Sequence, residues 1–159
     1  MDDKTQSVIF DQASRPFALY LHWPFCRAKC PYCDFNSHVS NDVDITIFGD
    51  ALCTEMTHMA SLMPSRPPLS SLFFGGGTPS LMPPILVERL IRHAQDLFGF
   101  TDDIEITAEA NPTSVEAEAM LGFQKAGVNR VSMGVQSLDD AGLKFLGREH
   151  SAAVALQAL

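Results

Sequence analysis

The sequence lacks an excess of basic residues: 11 lysines and arginines stand against 19 aspartates and glutamates, which gives a formal net charge of −8. Nucleic-acid-binding domains are usually basic, and anionic membranes attract basic segments, so this balance argues against both partners. No apolar run approaches the ~20 residues that span a bilayer. The N-terminus, MDDKTQSVIF, lacks the apolar core of a signal peptide. These absences predict a reducing, cytoplasmic setting with neither nucleic acid nor membrane insertion.

Two common nucleotide-binding signatures are also missing. A glycine run is present at residues 75–77, but neither the Walker lysine nor the dinucleotide fingerprint accompanies it. The chain contains four cysteines, and without a secretory context a disulfide framework is not expected. Its 159 residues are enough for one domain with a hydrophobic core.

Three of the four cysteines fall within eight residues, at Cys26, Cys30 and Cys33, with the spacing C-x3-C-x2-C. Thiolates are soft ligands that suit iron–sulfur clusters, zinc and copper(I). Pro24 and Pro31 disfavour a helix here, so the spacing predicts a loop wrapped around a metal centre. A cubane cluster is usually held by four thiolates, and three would leave one iron open to another ligand.

Zinc is the alternative that the cysteines themselves leave open. A structural zinc site needs a fourth ligand, for which His22, His38 and Cys53 are candidates. Cys53 also lies in a predicted helix, where a buried, inert thiol is the expected state.

Strand-like and helix-like segments alternate four times along the chain. This order predicts parallel strands joined by right-handed crossovers. Residues 1–16 are predicted to be an irregular leader, and residues 17–159 a single domain. The predicted strands are 17–22, 69–74, 104–108 and 130–135, and the predicted helices are 42–63, 84–98, 115–125, 139–146 and a last one from 151 onward.

The string YLHWPFC…CPYCDFNSH, with Tyr32 before the last cysteine of the motif, resembles the cluster motif of the radical S-adenosylmethionine (SAM) superfamily. Within it, the string resembles the oxygen-independent coproporphyrinogen III oxidase family and its HemW-type heme-chaperone branch. The resemblance implies that the three cysteines hold a [4Fe-4S] cluster whose open iron binds SAM. It also implies an electron donor and cleavage of SAM to a 5′-deoxyadenosyl radical. The implied fold is an α/β domain in which parallel βα repeats form the first four units of a partial TIM-like barrel.

Further strings imply the SAM contacts. GGGTPS resembles the family's glycine motif, while EITAEANP, SMGVQS and GREH resemble segments that supply a glutamate, a glutamine and an arginine. Tyr20 and Tyr32 match aromatic positions beside the cofactor, and His22 lies near the cluster in the same resemblance. From the residues alone, these positions are equally consistent with a tight turn, a helix cap, surface charges and core packing. The implied cofactor-binding set is Tyr20, Tyr32, Gly76, Gly77, Thr78, Glu109 (in preference to Glu105), Gln136 and Arg148.

Phe35 is a departure that bears on function. Coproporphyrinogen dehydrogenases usually carry another cysteine two residues after the third, and Phe35 occupies that position here. This substitution is typical of the heme-chaperone branch, so heme is the implied cargo and heme-acceptor proteins are the implied partners. The alternatives are a coproporphyrinogen III oxidase and a zinc-stabilised binding module. His58, His93 and His150 fit no pattern and are predicted to be exposed.

The sequence ends at Leu159 within an apolar run, SAAVALQAL, that has no helix-stop signal. Four βα units cannot close a barrel, and the family's heme-binding signature lies further along than residue 159. The fourth strand would then be an unpaired edge that can recruit other chains. We therefore expect a chain of this length to aggregate or oligomerise and to cleave SAM poorly.

Overall fold

The fold is built on a four-stranded parallel sheet with helices on one face. The computed structural model describes residues 16–40 and 42–158, and for residues 114–118 the backbone alone. The predicted leader, apart from Pro16, lies outside the described residues, as does Leu159. The strands are β1 Ala18–Trp23, β2 Phe25–Cys26, β3 His38–Val39, β4 Leu69–Gly76, β5 Phe100–Ala110 and β6 Arg130–Met133. The helices are α1 Ile45–Leu62, α2 Pro84–Phe98, α3 Ser114–Ala126, α4 Asp140–Phe145 and α5 Ala152–Gln157.

The sheet has the order β1-β4-β5-β6, and each neighbouring pair is parallel. This confirms the predicted βα alternation. Because all four strands run the same way, their carboxyl ends meet at one edge of the sheet. In parallel α/β barrels this edge carries the functional groups.

The two faces of the sheet differ sharply. One face carries Leu21, Phe74 and Ala108, which are aligned across β1, β4 and β5 and belong to the buried core shared with α1, α2 and α3. The opposite face carries an aligned row of Tyr20, Phe73, Thr107 and Arg130. Since side chains alternate along a strand, the period-two pattern sends one set of aliphatic and aromatic residues toward the helices and the alternate set, two aromatic and two polar residues, to the other side.

Short-range signals set the helix ends. The Asp44 carboxylate accepts a hydrogen bond from the amide of Ile47 at 2.9 Å, which caps the first turn of α1. Pro84 opens α2, and Gly99 follows it with a φ of 70°, a conformation that glycine adopts without steric cost. These signals explain why the predicted bounds of α2 agree with the structure.

Several predicted details are wrong. Strand β4 continues through Gly76, so two glycines of the run belong to the strand, while β6 ends at Met133 rather than at residue 135. Cys53 is half-buried rather than buried. His150 was predicted to be exposed, but only 7% of its surface is accessible, because the chain after α4 folds back under the end of β6.

Candidate functional site: a cavity at the carboxyl ends of the strands

A cavity of about 330 Å³ lies at the carboxyl edge of the sheet. We call it the strand-end cavity. It brings together residues from the cysteine loop, the glycine run, the end of β5 and the segment after β6, and it includes every predicted cluster ligand and SAM contact except Tyr20. The predicted residues that line it are Cys26, Cys30, Cys33, Tyr32, Gly76, Gly77, Thr78, Glu109, Gln136 and Arg148.

Backbone hydrogen bonds close the cysteine loop. The amide of His38 donates to the Pro24 carbonyl at 2.7 Å, so that β2 and β3 pair at the base of the loop. Within the loop, the amide of Cys33 donates to the Cys30 carbonyl at 3.0 Å. The loop therefore has a fixed base and an internal turn, which agrees with the predicted non-helical arrangement.

The glycine run packs directly against this loop. The amide of Gly77 donates to the Trp23 carbonyl at 2.7 Å, and the amide of Thr78 donates to the Phe25 carbonyl at 2.9 Å. A Cβ atom on Gly77 would lie 2.9 Å from the Cys26 sulfur and 2.7 Å from the Phe25 carbonyl oxygen, closer than side-chain carbons come. Glycine is thus required here because the backbone passes so close to a cysteine of the motif.

Glu109 reaches the same point from β5. Its carboxylate accepts a hydrogen bond from the amide of Gly76 at 3.3 Å. Tyr20 lies nearby on the open sheet face, stacked on Phe73 with ring centroids 6.0 Å apart. Burial, and secondarily the negative charge of Glu109, raise the pKa of the Tyr20 phenol. Tyr20 does not line the strand-end cavity, so the structure places it beside the other predicted cofactor contacts rather than among them.

His22 links the sheet to the cysteine loop. Its Nε2 lies 2.8 Å from the carbonyl oxygen of Asn36, and its Nδ1 lies 3.2 Å from the Tyr20 hydroxyl. Because a carbonyl can only accept, Nε2 carries the proton, and in the neutral ring Nδ1 accepts from the tyrosine. A Cβ on Gly76 would lie 2.7 Å from the His22 ring, so the ring packs against the glycine run. The geometry therefore gives His22 a connecting role between the two loops.

Arg148 joins the cysteine loop to the ends of β5 and β6. Its Nη1 donates to the Cys30 sulfur and to the Tyr32 hydroxyl, each at 3.4 Å. Its Nη2 donates to the Gly134 carbonyl at 2.9 Å and to the side-chain oxygen of Asn111. The remaining nitrogen, Nε, is buried and has no partner among the described residues.

Tyr32 shares this environment. Burial raises the pKa of its phenol, the hydrogen bond with Cys30 adds to the rise, and the positive charge of Arg148 opposes it. The phenol therefore stays neutral at physiological pH and can donate or accept a hydrogen bond at the cavity wall.

The segment after β6 is held in an unusual conformation. Gln136 has a φ of 66°, in the left-handed region that a residue with a side chain rarely adopts. The buried His150 donates from Nε2 to the carbonyl of Val135 at 3.1 Å, immediately before the strained residue. Strained backbone of this kind concentrates at functional sites, where neighbouring contacts hold it in place.

The donor set fits a cluster better than a single ion. All four cysteines are free, and three of them border one cavity. Among the side chains that the structure describes, those of residues 16–40, 42–113 and 119–158, no three of His, Cys, Asp or Glu are arranged so as to hold one metal ion. A cubane gives each thiolate a different iron, so it does not require the sulfurs to converge on one point. The cavity also provides the buried Arg148 Nε and the closely packed Gly77 beside the cysteines.

Lys29, Asn111 and His150 are among the cavity residues that sequence reasoning missed. Asn111 immediately follows β5, and the rule that functional groups cluster at strand ends could have found it. The backbone contacts of Lys29 and the burial of His150 depend on chain segments far apart in sequence, and no local signal indicates them.

A second recess between α1 and α2 contains similar residue types. Arg89 pairs with the Asp50 carboxylate at 2.5 Å, and His93 lies 3.0 Å from the Cys53 carbonyl oxygen and 2.9 Å from the Thr57 hydroxyl. Burial raises the pKa of the Cys53 thiol, although Arg89 acts in the opposite direction.

In the part of the chain that the structure describes, no helix is both long and apolar enough to cross a membrane.

Comparison with known proteins now identifies the family. The model of the Radical SAM superfamily matches residues 20–159, so the chain belongs to the radical SAM superfamily. Membership implies in general that SAM and an iron–sulfur cluster are the cofactors.

Individual relatives are similar to this chain over about nine-tenths of its length. The chain is 44% identical over 146 residues to "Radical S-adenosyl methionine domain-containing protein 1, mitochondrial" of Bos taurus, covering 92% of this chain and 33% of that protein. It is 43% identical over 150 residues to "Heme chaperone HemW" of Haemophilus influenzae, covering 91% of this chain and 39% of that protein.

A solved structure resembles the fold. It is described as "Coproporphyrinogen III oxidase (HemN) from Escherichia coli is a Radical SAM enzyme", and it aligns with a TM-score of 0.77 and 32% identity over 91% of this chain and 34% of that one. The α/β parallel-sheet fold predicted from the sequence is thereby confirmed. The chain spans between 33% and 39% of the length of these relatives.

Proposed function

We propose that this chain is the cluster-binding and SAM-binding part of a HemW-type heme chaperone. The observation that carries the proposal is the strand-end cavity, in which a three-cysteine loop followed by Phe35, rather than by a fourth cysteine, faces the predicted SAM contacts. The 43% identity to a protein named as a heme chaperone supports it. Heme is then the cargo, and heme-acceptor proteins and an electron donor are the proposed partners.

The proposed division of labour follows the geometry. Cys26, Cys30 and Cys33 would hold a [4Fe-4S] cluster, and its chemistry when bound is one-electron reduction of the SAM sulfonium. Gly76 and Gly77 let a ligand approach the backbone closely. Thr78 offers a hydroxyl as an additional polar contact.

Charge complementarity supports the proposed orientation of SAM. The resemblance assigns the amino group of SAM to Gly76, Gly77 and Thr78, and the Glu109 carboxylate, which accepts from the Gly76 amide, adds a negative charge beside them. The Arg148 guanidinium, with its unpartnered Nε, suits the carboxylate of SAM. Gln136 and Tyr32 add neutral hydrogen-bonding groups at the wall of the cavity. Tyr20 lies on the adjoining sheet face. It would influence the cavity through its hydrogen bond with His22 and its electrostatic interaction with Glu109.

A coproporphyrinogen III oxidase is the second candidate, because the solved neighbour carries that name at 32% identity. Such an enzyme decarboxylates two propionates oxidatively to vinyl groups. Phe35 weighs against it, since the cysteine expected of the dehydrogenases is absent from that position. Membership in the radical SAM superfamily weighs against the zinc-stabilised module.

One experiment separates the two tetrapyrrole functions. A full-length relative that carries phenylalanine at the position of Phe35, reconstituted anaerobically with iron and sulfide, is incubated with hemin and, separately, with coproporphyrinogen III, SAM and a low-potential reductant. We expect a heme complex in the visible spectrum and no protoporphyrinogen by chromatography. Formation of protoporphyrinogen would reverse the order of the candidates.

The subcellular location and the bounds of the domain remain proposals. We retain residues 17–159 as one incomplete radical SAM core domain. A cytoplasmic location is proposed from the sequence, while relatives with "mitochondrial" in their names show that related proteins occur elsewhere. Fractionation with compartment markers would test it.

A further inference from the structure

The backbone makes a strained turn at Gln136, shortly after β6. The amide of Ser137 donates to the carbonyl oxygen of Val135 at 2.8 Å, and Gln136 between them has a φ of 66°. A hydrogen bond from residue i+2 to residue i across a positive φ defines the rarer, strained form of the γ-turn. Strained backbone persists only where surrounding contacts hold it in place. The turn therefore needs a contact from outside its own three residues.

His150 makes such a contact. Its Nε2 lies 3.1 Å from the same Val135 carbonyl oxygen, and because a carbonyl can only accept, Nε2 is the donor. The carbonyl of Val135 thus accepts two hydrogen bonds, one that closes the turn and one from a buried side chain 15 positions further along. His150 therefore fixes the orientation of the peptide group that precedes Gln136.

The side chain of Gln136 lies where the proposed SAM contacts meet. A Cβ atom on Gly134 would lie 3.2 Å from the Gln136 Nε2, and 3.5 Å from both the Arg148 Nη2 and the Asn111 side-chain oxygen. The Gln136 amide is therefore packed over Gly134, beside the guanidinium that is proposed to bind the SAM carboxylate. A change in the turn would move this amide away from its neighbours.

The segment 147–150 also contacts the cysteine loop. Gly147 has a φ of 67°, and a Cβ atom there would lie 2.9 Å from the Cδ of Pro31. The next residue, Arg148, donates to a sulfur of the cysteine motif at 3.4 Å and to the Gly134 carbonyl at 2.9 Å. The segment thus connects the cysteine loop to the end of β6, where two of its side chains bind successive carbonyls.

We propose that His150 is a positioning residue for SAM: its hydrogen bond to Val135 holds the γ-turn that places the Gln136 amide in the strand-end cavity. The inference rests on the proposed SAM contacts and adds a residue that acts through one of them without having to touch SAM. An apolar residue at position 150 would remove the second donor to Val135 and let the turn relax. Glutamine there would keep an N–H donor.

The test uses a full-length relative that carries the same residues as this chain at positions 93, 134, 136 and 150, reconstituted anaerobically with iron and sulfide. Calorimetric titration measures its affinity for SAM. His150→Phe should weaken this affinity about three- to tenfold, the effect of losing one neutral hydrogen bond to the ligand. His150→Gln should keep most of the wild-type affinity, because its amide can donate to the same carbonyl. Hydrogen exchange of the amide at position 137 should be faster in His150→Phe and close to wild type in His150→Gln.

His93 supplies a matched control. Its Nε2 also lies 3.0 Å from a backbone carbonyl oxygen, that of Cys53, but in the recess between α1 and α2 and outside the strand-end cavity. His93→Phe should leave SAM affinity unchanged. A double-mutant cycle tests whether His150 acts through Gln136. In a Gln136→Gly background, His150→Phe should cause no further loss of SAM affinity, since both changes remove the same contact.

The outcomes separate this inference from the proposed function. If the wild type does not bind SAM, the proposed SAM contacts are wrong and the role of His150 falls with them. If the wild type binds SAM but His150→Phe matches His93→Phe, the proposed contacts stand and the inference is wrong. Equal losses with and without the Gln136 side chain would also overturn it, since His150 would then act by another route.

A second variant covers the case in which His150→Phe does not keep the iron and sulfide content of the wild type. Gly134→Ala leaves His150 intact, but its Cβ would press on the Gln136 amide. We expect weaker SAM binding in Gly134→Ala as well. Unchanged affinity would contradict the inference, because the position of the amide would then not matter.

Discussion

Two cysteine–arginine pairs in this chain show how position decides what the same residue types can do. In the strand-end cavity, Arg148 donates to the sulfur of Cys30 and is otherwise held by a backbone carbonyl and an amide oxygen. In the recess between α1 and α2, Arg89 lies near Cys53 but is paired with the Asp50 carboxylate.

The difference is one of available charge. A guanidinium held by neutral acceptors keeps its full positive charge for an incoming anion, whereas one paired with a carboxylate has already been largely neutralised. The cavity, unlike the recess, lies at the carboxyl ends of the strands. We therefore treat the cavity as the functional site and the recess as ordinary helix-surface chemistry, and the following predictions test that distinction.

The largest expected effect concerns the cysteines. Changing Cys26, Cys30 or Cys33 to alanine should abolish cluster binding, whereas Cys53→Ala should leave it intact. The wild type should bind about four iron and four sulfide, as a cubane requires. Iron and sulfide analysis with electron paramagnetic resonance would check this. Stoichiometric zinc without sulfide in the wild type would contradict the cluster assignment.

Next in size is the contrast between the two arginines. Arg148→Ala should weaken SAM binding by about 1.5–3 kcal/mol, because a charge-assisted contact is removed. Arg89→Ala should not change SAM affinity, since its guanidinium is committed to Asp50 on the helix surface. Calorimetric titration of both variants gives the comparison, and equal affinities would remove the basis for placing SAM beside Arg148.

A smaller effect is expected at Gln136, where the left-handed backbone should cost stability. Gln136→Asn should stabilise the protein by about 0.5–1 kcal/mol, because asparagine tolerates this conformation better. The shorter side chain should also weaken SAM binding. The control is Gln124→Asn in α3, which should be neutral or slightly destabilising, since asparagine is the poorer helix former. Urea unfolding would measure both, and a loss of stability at Gln136 would argue against strain there.

The smallest effect is a pH dependence that differs between the two regions. Burial raises the pKa of Tyr20 above its ordinary value of 10.0 and that of Cys53 above 9.0. A raised pKa means that the folded state holds its proton longer than the unfolded state, so stability falls as pH rises through these values. Tyr20→Phe should reduce the loss above pH 10.0, and Cys53→Ala the loss that begins near pH 9.0. Unfolding of the cluster-free protein followed by circular dichroism would resolve the two windows.

Much of the architecture could be predicted from local patterns. The βα alternation follows from period-two and period-3.6 apolar spacing, and the bounds of α2 follow from Pro84 and Gly99. The convergence of Glu109, the glycine run and the cysteines follows from parallel strands ending at one edge. The roles of the cysteines as cluster ligands, and of Glu109 and the glycine run as SAM contacts, came from the resemblance and remain predictions.

Other features could not be read from local sequence. The burial of His150 and the φ of Gln136 depend on how the segment after β6 packs beneath the strand ends. Tyr20 was grouped with the cofactor contacts, yet strand alternation places it on the open face, one step removed from the cavity. The hydrogen bonds of Lys29 to Phe35 and Ser37 are made by the loop only once it is folded.

The contact between Arg148 and Cys30 also sets an order of events during synthesis. It joins residues 118 positions apart, so this side of the site cannot close until the chain beyond β6 has been made. At 5–20 residues per second, translation leaves an interval of roughly 6–24 s between the first residue of that pair and the second. During this interval the nascent chain presents free thiols without their arginine neighbour. Loading of a cluster into the complete proposed site, with Arg148 beside Cys30, would therefore have to follow synthesis of residue 148.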